Sequence, residues 1–125
     1  MQVFKTREFG RFSRKERIGD DQLCEAIERA ANGLVDADLG GGVIKQRIAR
    51  HGQGRSGGYR SIIAFRSSKR GVFMYGFAKS GKANLSDKEL VIYKRLALIL
   101  LGADNAVLAH MLATGELIEV DCNDE

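Results

Sequence analysis

Residues 43–66, VIKQRIARHGQGRSGGYRSIIAFR, decide the fold, because here the hydrophobic period is two. Ile44, Gln46 and Ile48 alternate with Lys45, Arg47 and Ala49, which predicts a strand with two cations side by side on one face. HGQGRSGG, residues 51–58, is a polar loop carrying four glycines. Arg60 to Arg66 form the next strand, with Arg60 and Arg66 on one face and Ile62 and Ala64 between them. SSKRG turns the chain into VFMYGFA, residues 72–78, an apolar run expected at the centre of a sheet. The stretch therefore predicts a three-stranded antiparallel meander.

On the N-terminal side, residues 2–6 (QVFKT) read as a short opening strand, and two helical segments follow. The first, residues 7–17, is interrupted by Gly10 and places Phe9 and Phe12 on one side. Asp20 or Asp21 caps the second, in which Leu23, Ile27, Ala30 and Leu34 recur at helical spacing. DADLGGG is a loop whose three glycines, 40–42, admit positive φ. On the C-terminal side, Ser86 and Glu89 form a capping box for a helix with Leu90, Tyr93, Ala97 and Leu100 on one face. Asp104 caps a shorter helix that Gly115 stops, and ELIEV, residues 116–120, is a candidate closing strand. The order β-α-α-β-β-β-α with a C-terminal helical extension implies an α+β domain: an N-terminal helical hairpin and helices on one face of a small antiparallel sheet. The 125 residues suit a single domain, 1–125.

Charge is divided sharply along the chain. Residues 1–38 carry seven Lys/Arg against eight Asp/Glu, residues 39–86 carry ten against none, and residues 87–125 carry three against eight. An acid-free centre between acidic flanks stores potential for a polyanion and orients the molecule on it. No apolar run approaches the roughly 18 residues of a membrane span, and MQVFKTREFG lacks the apolar core of a signal peptide. The expected compartment is the cytoplasm, without a membrane partner. Cys24 and Cys122, far apart and without CxxC or His-rich spacing, point to neither a disulfide framework nor a zinc site.

Most catalytic classes find no match. There is no GxxxxGK[ST] loop, and GQGRSGG lies between strands rather than opening a helix as a dinucleotide-binding loop does. With two histidines, and no acid near His51, neither a Ser/His/Asp triad nor a carboxylate-held metal site is expected. Cations, hydroxyls and one imidazole suit cleavage of RNA through its own 2′-OH, with no metal and no cofactor. The substrate supplies the nucleophile, and the protein moves protons and neutralises the phosphorane. Lys or His51 serve the proton transfers; Tyr59 either stacks on a base or packs at its strand start.

The ensemble VIKQRIARHGQGRSGGYRSIIAFRSS followed by VFMYGFAKSGKANLSDKEL resembles the RelE/ParE superfamily of bacterial toxins, in its RelE and HigB branch. The strand with basic residues, the Gly-Gly-Tyr-Arg strand start, the apolar strand ending in FAK and the helix beginning Ser-Asp-Lys-Glu-Leu carry the likeness, over about residues 43–100. The resemblance implies a core of about 1–101, with residues 102–125 as an extension. It also implies a ribosome-dependent mRNA endoribonuclease of a type II toxin–antitoxin system. Its partners would be the ribosome, mRNA and a cognate antitoxin with a helix-turn-helix DNA-binding domain. Carried over by position, Lys45 and Arg47 match the basic pair implicated in proton transfer and transition-state charge. Arg60 matches the phosphate-binding arginine, and Lys79 the basic position ending the next strand. Tyr59, Lys82, His51, Arg50 and Arg55 are the candidate substrate contacts. The family's C-terminal tyrosine has no equivalent by position, and Tyr93 reads as core. A non-catalytic or ParE-type, gyrase-directed member is the alternative reading, and an unrelated basic binder a further one.

Overall fold

The computed structural model describes residues 1–49, 58–78 and 85–122. The chain runs β1 (Gln2–Thr6), α1 (Arg7–Glu16), α2 (Asp20–Ala31), β2 (Ala37–Gly40), β3 (Val43–Ile48), β4 (Tyr59–Arg66), β5 (Arg70–Ala78), α3 (Asp87–Gly102), α4 (Asn105–Thr114) and β6 (Leu117–Glu119). One sheet holds all six strands in the order β2-β3-β4-β5-β1-β6. The class is α+β, and apart from one added strand, β2, the element order follows the sequence reading.

Three features correct that reading. The sheet is mixed: β1 lies parallel to β5, with Val3 beside Gly71 and Phe4 beside Val72, while every other pairing is antiparallel. The α1–α2 hairpin carries the chain across one face, so β1 can enter the sheet alongside β5 in the same direction. Helices cover both faces rather than one. Phe9, Leu23 and Ile27 pack with Ile44, Ile48, Ile63 and Phe73 on the α1/α2 side, whereas Ala97, Leu100 and Leu108 pack with Val43, Ile62, Val72 and Met74 on the α3/α4 side. Residues 37–40 form strand β2, which turns into β3 through Gly40, Gly41 and Gly42, all at positive φ.

Local chemistry fixes the ends of these elements. Thr6 Oγ1 accepts from the Phe9 amide at 3.2 Å to start α1, and Ser86 with Glu89 forms the expected capping box of α3. Gly19, not an aspartate, is the N-cap of α2; its amide donates to Gln22 Oε1 at 2.9 Å. Arg70 was one of the ten central cations, and it ties off α3 instead of facing a partner. Its Nη1 donates to the carbonyls of Leu100 at 2.6 Å and Ala103 at 3.0 Å. Gly76 allows the closest approach of α1, since a Cβ there would sit 2.5 Å from the Phe12 ring.

The buried Gln46 connects β3 to the segment after α2. Its Nε2 donates to Ala26 O and Leu34 O, each at 3.0 Å, and its Oε1 accepts from the Asp36 amide at 2.9 Å. Gln46→Leu strands these backbone groups away from water, at a cost of about 1–3 kcal/mol for each one left buried and unsatisfied. A loss of roughly 2–4 kcal/mol in urea unfolding is the expected outcome.

The cysteines also depart from expectation. Cys24 and Cys122 form a disulfide between α2 and the segment after β6, with Cα atoms 5.4 Å apart. A separation of 98 residues gives no local signal; the pair meets only because β6 returns to β1 beside α2.

Candidate nucleic-acid interface

Lys45, Arg47 and Arg60 share the α3-facing side of the sheet, as the alternation predicts. On β3, Val43 belongs to the α3-side core, and Lys45 and Arg47 follow at two-residue steps; Ile44, Gln46 and Ile48 turn the other way. On β4, Arg60 precedes Ile62 and Ala64 on the same face. Strand register sets Arg47 directly opposite Arg60 and Lys45 opposite Ile62. Side chains so paired lie roughly 5 Å apart at Cβ, and like charges there repel.

Arg60 is the decisive residue of this group. It is partly buried, and its Nη1 is enclosed by protein without a hydrogen-bond partner among the described residues. A guanidinium nitrogen withdrawn from water with no acceptor is costly unless something else supplies one. A second guanidinium opposite makes an anion the group that would satisfy both. Lys45 extends beside Leu39, Ile62, Leu85 and Leu90 in a cleft of about 150 Å³ where β2, β4 and the start of α3 meet. Arg47 is anchored through its backbone, its amide donating to Asp36 Oδ2 at 2.6 Å and its carbonyl accepting from Arg29.

Aromatic rings adjoin these cations, and they were not legible as a site in the sequence. A bulge in β5 sets Ile62 opposite Tyr75 but Ile63 opposite Phe73, so Met74 is an extra residue. Tyr75 consequently turns to the α3 side, where it stacks on Tyr93 with centroids 5.6 Å apart and planes at 29°, and meets Phe77 at 5.8 Å. Phe77 is the register partner of Arg60. Burial and the neighbouring Glu8 carboxylate push the Tyr93 phenol above its ordinary range, so its hydroxyl stays protonated and donates to Glu8 Oε1 at 3.4 Å. Tyr93 is thus half-buried and packed against the α3-side core, in keeping with its reading as core.

Tyr59 does not join this group. It is 2% exposed on the α1/α2 side, edge-on to Phe12, and its hydroxyl donates to Glu16 Oε1 at 3.1 Å. The register of β4 sends it to the face opposite Arg60, so its packing role wins over stacking on a base. Arg66 and Lys69 stand exposed at the far end of β4, roughly 20 Å along the strand from Arg60. Arg50, His51, Arg55, Lys79 and Lys82 lie outside the described residues; Ala78, just before Lys79, pairs with Tyr59 next to Arg60.

The sequence model for the RelE toxin of the RelE/RelB toxin–antitoxin system matches residues 1–120. The chain belongs to the RelE toxin family. It is accordingly a toxin of a toxin–antitoxin system, and RelE toxins pair with an antitoxin. No curated protein matches the chain. The RelE match reaches through α4 and β6, and β6 pairs with β1, so the C-terminal segment is built into the same sheet as the basic strands. Among the described residues no group of His, Cys, Asp and Glu is placed to hold a metal ion, and no single helix is long and apolar enough to cross a membrane.

Proposed function

We propose that this RelE-family chain is a ribosome-dependent mRNA endoribonuclease that cleaves by attack of the RNA 2′-OH on the adjacent phosphate. The observation that carries the reading is the enclosed Nη1 of Arg60, opposite Arg47 and without a partner among the described residues. A scissile phosphate seated there would accept from both guanidiniums, and their charge would act most strongly on the phosphorane, whose extra negative charge develops in the transition state. Lys45 is the proton-transfer candidate on the same face, with His51 six residues further on and Lys79 directly after β5 as the other candidates. Tyr75, Phe77 and Tyr93 offer ring faces or edges for unstacked bases. Arg50, Arg55 and Lys82 would extend the electrostatic contact to the RNA backbone, and ribosomal RNA is the polyanion that the acid-free centre fits.

The protein works in the cytoplasm in this account, held inactive by an antitoxin bearing a helix-turn-helix domain. The outer face of α3 supports a protein partner: Val91, Ile92, Leu98 and Ile99 are each about half exposed or more, Leu98 at 74%.

Induced expression tests the reading in cells. Wild type is expected to arrest growth, and Lys45→Ala or Arg47→Ala to relieve the arrest with the protein still folded and abundant. Full arrest by both variants would remove these residues from the site. DNA breaks with unchanged transcript ends would instead favour the gyrase-directed alternative. Purified protein should also bind RNA with a steep salt dependence. The logarithm of its affinity for single-stranded RNA should fall by roughly 0.7 per phosphate contact for each tenfold rise in salt, and Arg47→Ala should flatten that slope by about one contact. A slope unchanged in the variant would place Arg47 away from the backbone.

A further inference from the structure

The disulfide borders a cleft unrelated to the basic face. Cys24 and Cys122 both line an opening of about 490 Å³ between α2, the start of β1 and the segment after β6, and both are partly exposed. Small reductants can therefore reach the sulfurs without the fold opening. The rim is acidic: Asp21, Glu25, Glu28 and Asp121 line it. Among the described residues the Met1 amino group lines the opening, and Arg29 beside it is already paired with Glu25. Lys5 is engaged by Asp20 at 3.4 Å. The reduced state also has a partner prepared for it, since Asp121 O lies 3.4 Å from Cys24 Sγ and can accept from a thiol there.

We propose that Cys24–Cys122 is a redox-modification site that undergoes thiol–disulfide exchange in the folded toxin, and that its acidic rim selects neutral or cationic thiols over anionic ones. In the first step a reductant thiolate attacks one sulfur, forming a mixed disulfide and expelling the other cysteine as a thiolate. A second thiolate, from the same dithiol or another monothiol, attacks the mixed disulfide and expels the second cysteine. Both cysteines take protons from solvent; two electrons pass to the protein and the reductant leaves as its disulfide. Carboxylates within a Debye length lower the local concentration of an anionic thiol and raise that of a cationic one. The exchange removes the covalent tie between the end of the chain and α2, leaving the Asp121 amide donating to Asp20 Oδ2 at 3.0 Å, the Val120 amide donating to Val3 O at 2.9 Å and the short pairing of Phe4, Lys5 and Thr6 with Glu119, Ile118 and Leu117.

The test uses the full chain, oxidised, with cysteamine, dithiothreitol and glutathione as cationic, neutral and anionic probes. Rates of thiol appearance are normalised to the same probes acting on bis(2-hydroxyethyl) disulfide. Cysteamine is expected to outpace glutathione by at least about tenfold after normalisation, the gap closing in 0.5 M salt and narrowing in Glu28→Gln and Asp21→Asn. Backbone amide exchange in residues 117–122 should rise on reduction, while that of Phe73 in the sheet centre stays slow. Equal normalised rates would overturn the selection by charge. Reduction only under denaturing conditions, or free thiols at both cysteines in protein purified under air, would overturn the site. The exposed charge variants keep the test decisive if a Cys24→Ser chain fails to fold.

Discussion

Replacing Arg60 with alanine is expected to lower RNA cleavage by roughly 10²–10³-fold while leaving the midpoint of unfolding unchanged or higher. The first part follows from position: a guanidinium aimed at a phosphorane contributes most where charge develops, and removal of one such donor typically costs about 3–4 kcal/mol of transition-state stabilisation. The second follows from what Arg60 lacks. Its Nη1 is enclosed without an acceptor among the described residues, and its register partner on β3 is Arg47, another cation. In the free protein that arrangement is a desolvation and repulsion cost, which alanine removes along with the charge. Arg60→Lys should fall between, keeping the charge but losing the fork that can hold two phosphate oxygens at once. Cleavage of mRNA on purified translating ribosomes to which the protein is added, and thermal unfolding of the same protein samples, decide the point. A large drop in stability for Arg60→Ala would assign the residue to the fold, and unchanged cleavage would remove it from the site.

The largest effect on stability is expected from the disulfide. Closing a loop across 98 residues restricts the unfolded chain, and the chain-entropy relation gives about 4–5 kcal/mol for a loop of that size. At roughly 4 °C per kcal/mol for a chain of this length, the double variant Cys24→Ser/Cys122→Ser should unfold some 15–20 °C below the oxidised wild type. Reduced wild type should approach the variant. A difference of a few degrees between oxidised wild type and variant would mean that the β6–β1 pairing, buried Val120 and the Asp121 amide bond to Asp20 fix the C-terminal segment without the disulfide. The basic strands bond to the same helix: Gln22 Nε2 of α2 donates to Ala49 O at 2.8 Å, and Arg29 to Arg47 O. Part of the loss should therefore appear as faster amide exchange at the end of β3.

The strands of the centre were legible because their chemistry is local. Lys45 and Arg47 alternate with Ile44, Gln46 and Ile48, a period of two reports faces directly, and register then brings Arg60 opposite Arg47. Caps were legible for the same reason, as Ser86 and Asp104 show. What escaped the sequence depends on returns from far along the chain. The parallel insertion of β1 beside β5, the second helical layer and the Cys24–Cys122 link each join segments separated by dozens of residues. The aromatic cluster escaped through one irregularity. The Met74 bulge breaks the alternation of β5, so Tyr75 faces Tyr93 where strict periodicity would send it to the other side. Charge counting likewise could not separate a cation on the shared face of β3 and β4 from one that caps a helix. Arg60 and Arg70 look equivalent in sequence, yet Arg70 donates to two carbonyls at the end of α3 while Arg60 Nη1 finds no acceptor among the described residues.

The central claim is that a cationic face on β3 and β4 cuts mRNA on the ribosome. Its most direct test is transcriptome-wide mapping of RNA 5′ ends after brief induction of wild type and of Arg60→Ala. The account predicts new 5′ ends inside translated reading frames in the wild type alone, absent from untranslated regions and lost when initiation is blocked. New ends distributed alike over translated and untranslated RNA, or none in the wild type during growth arrest, would contradict it.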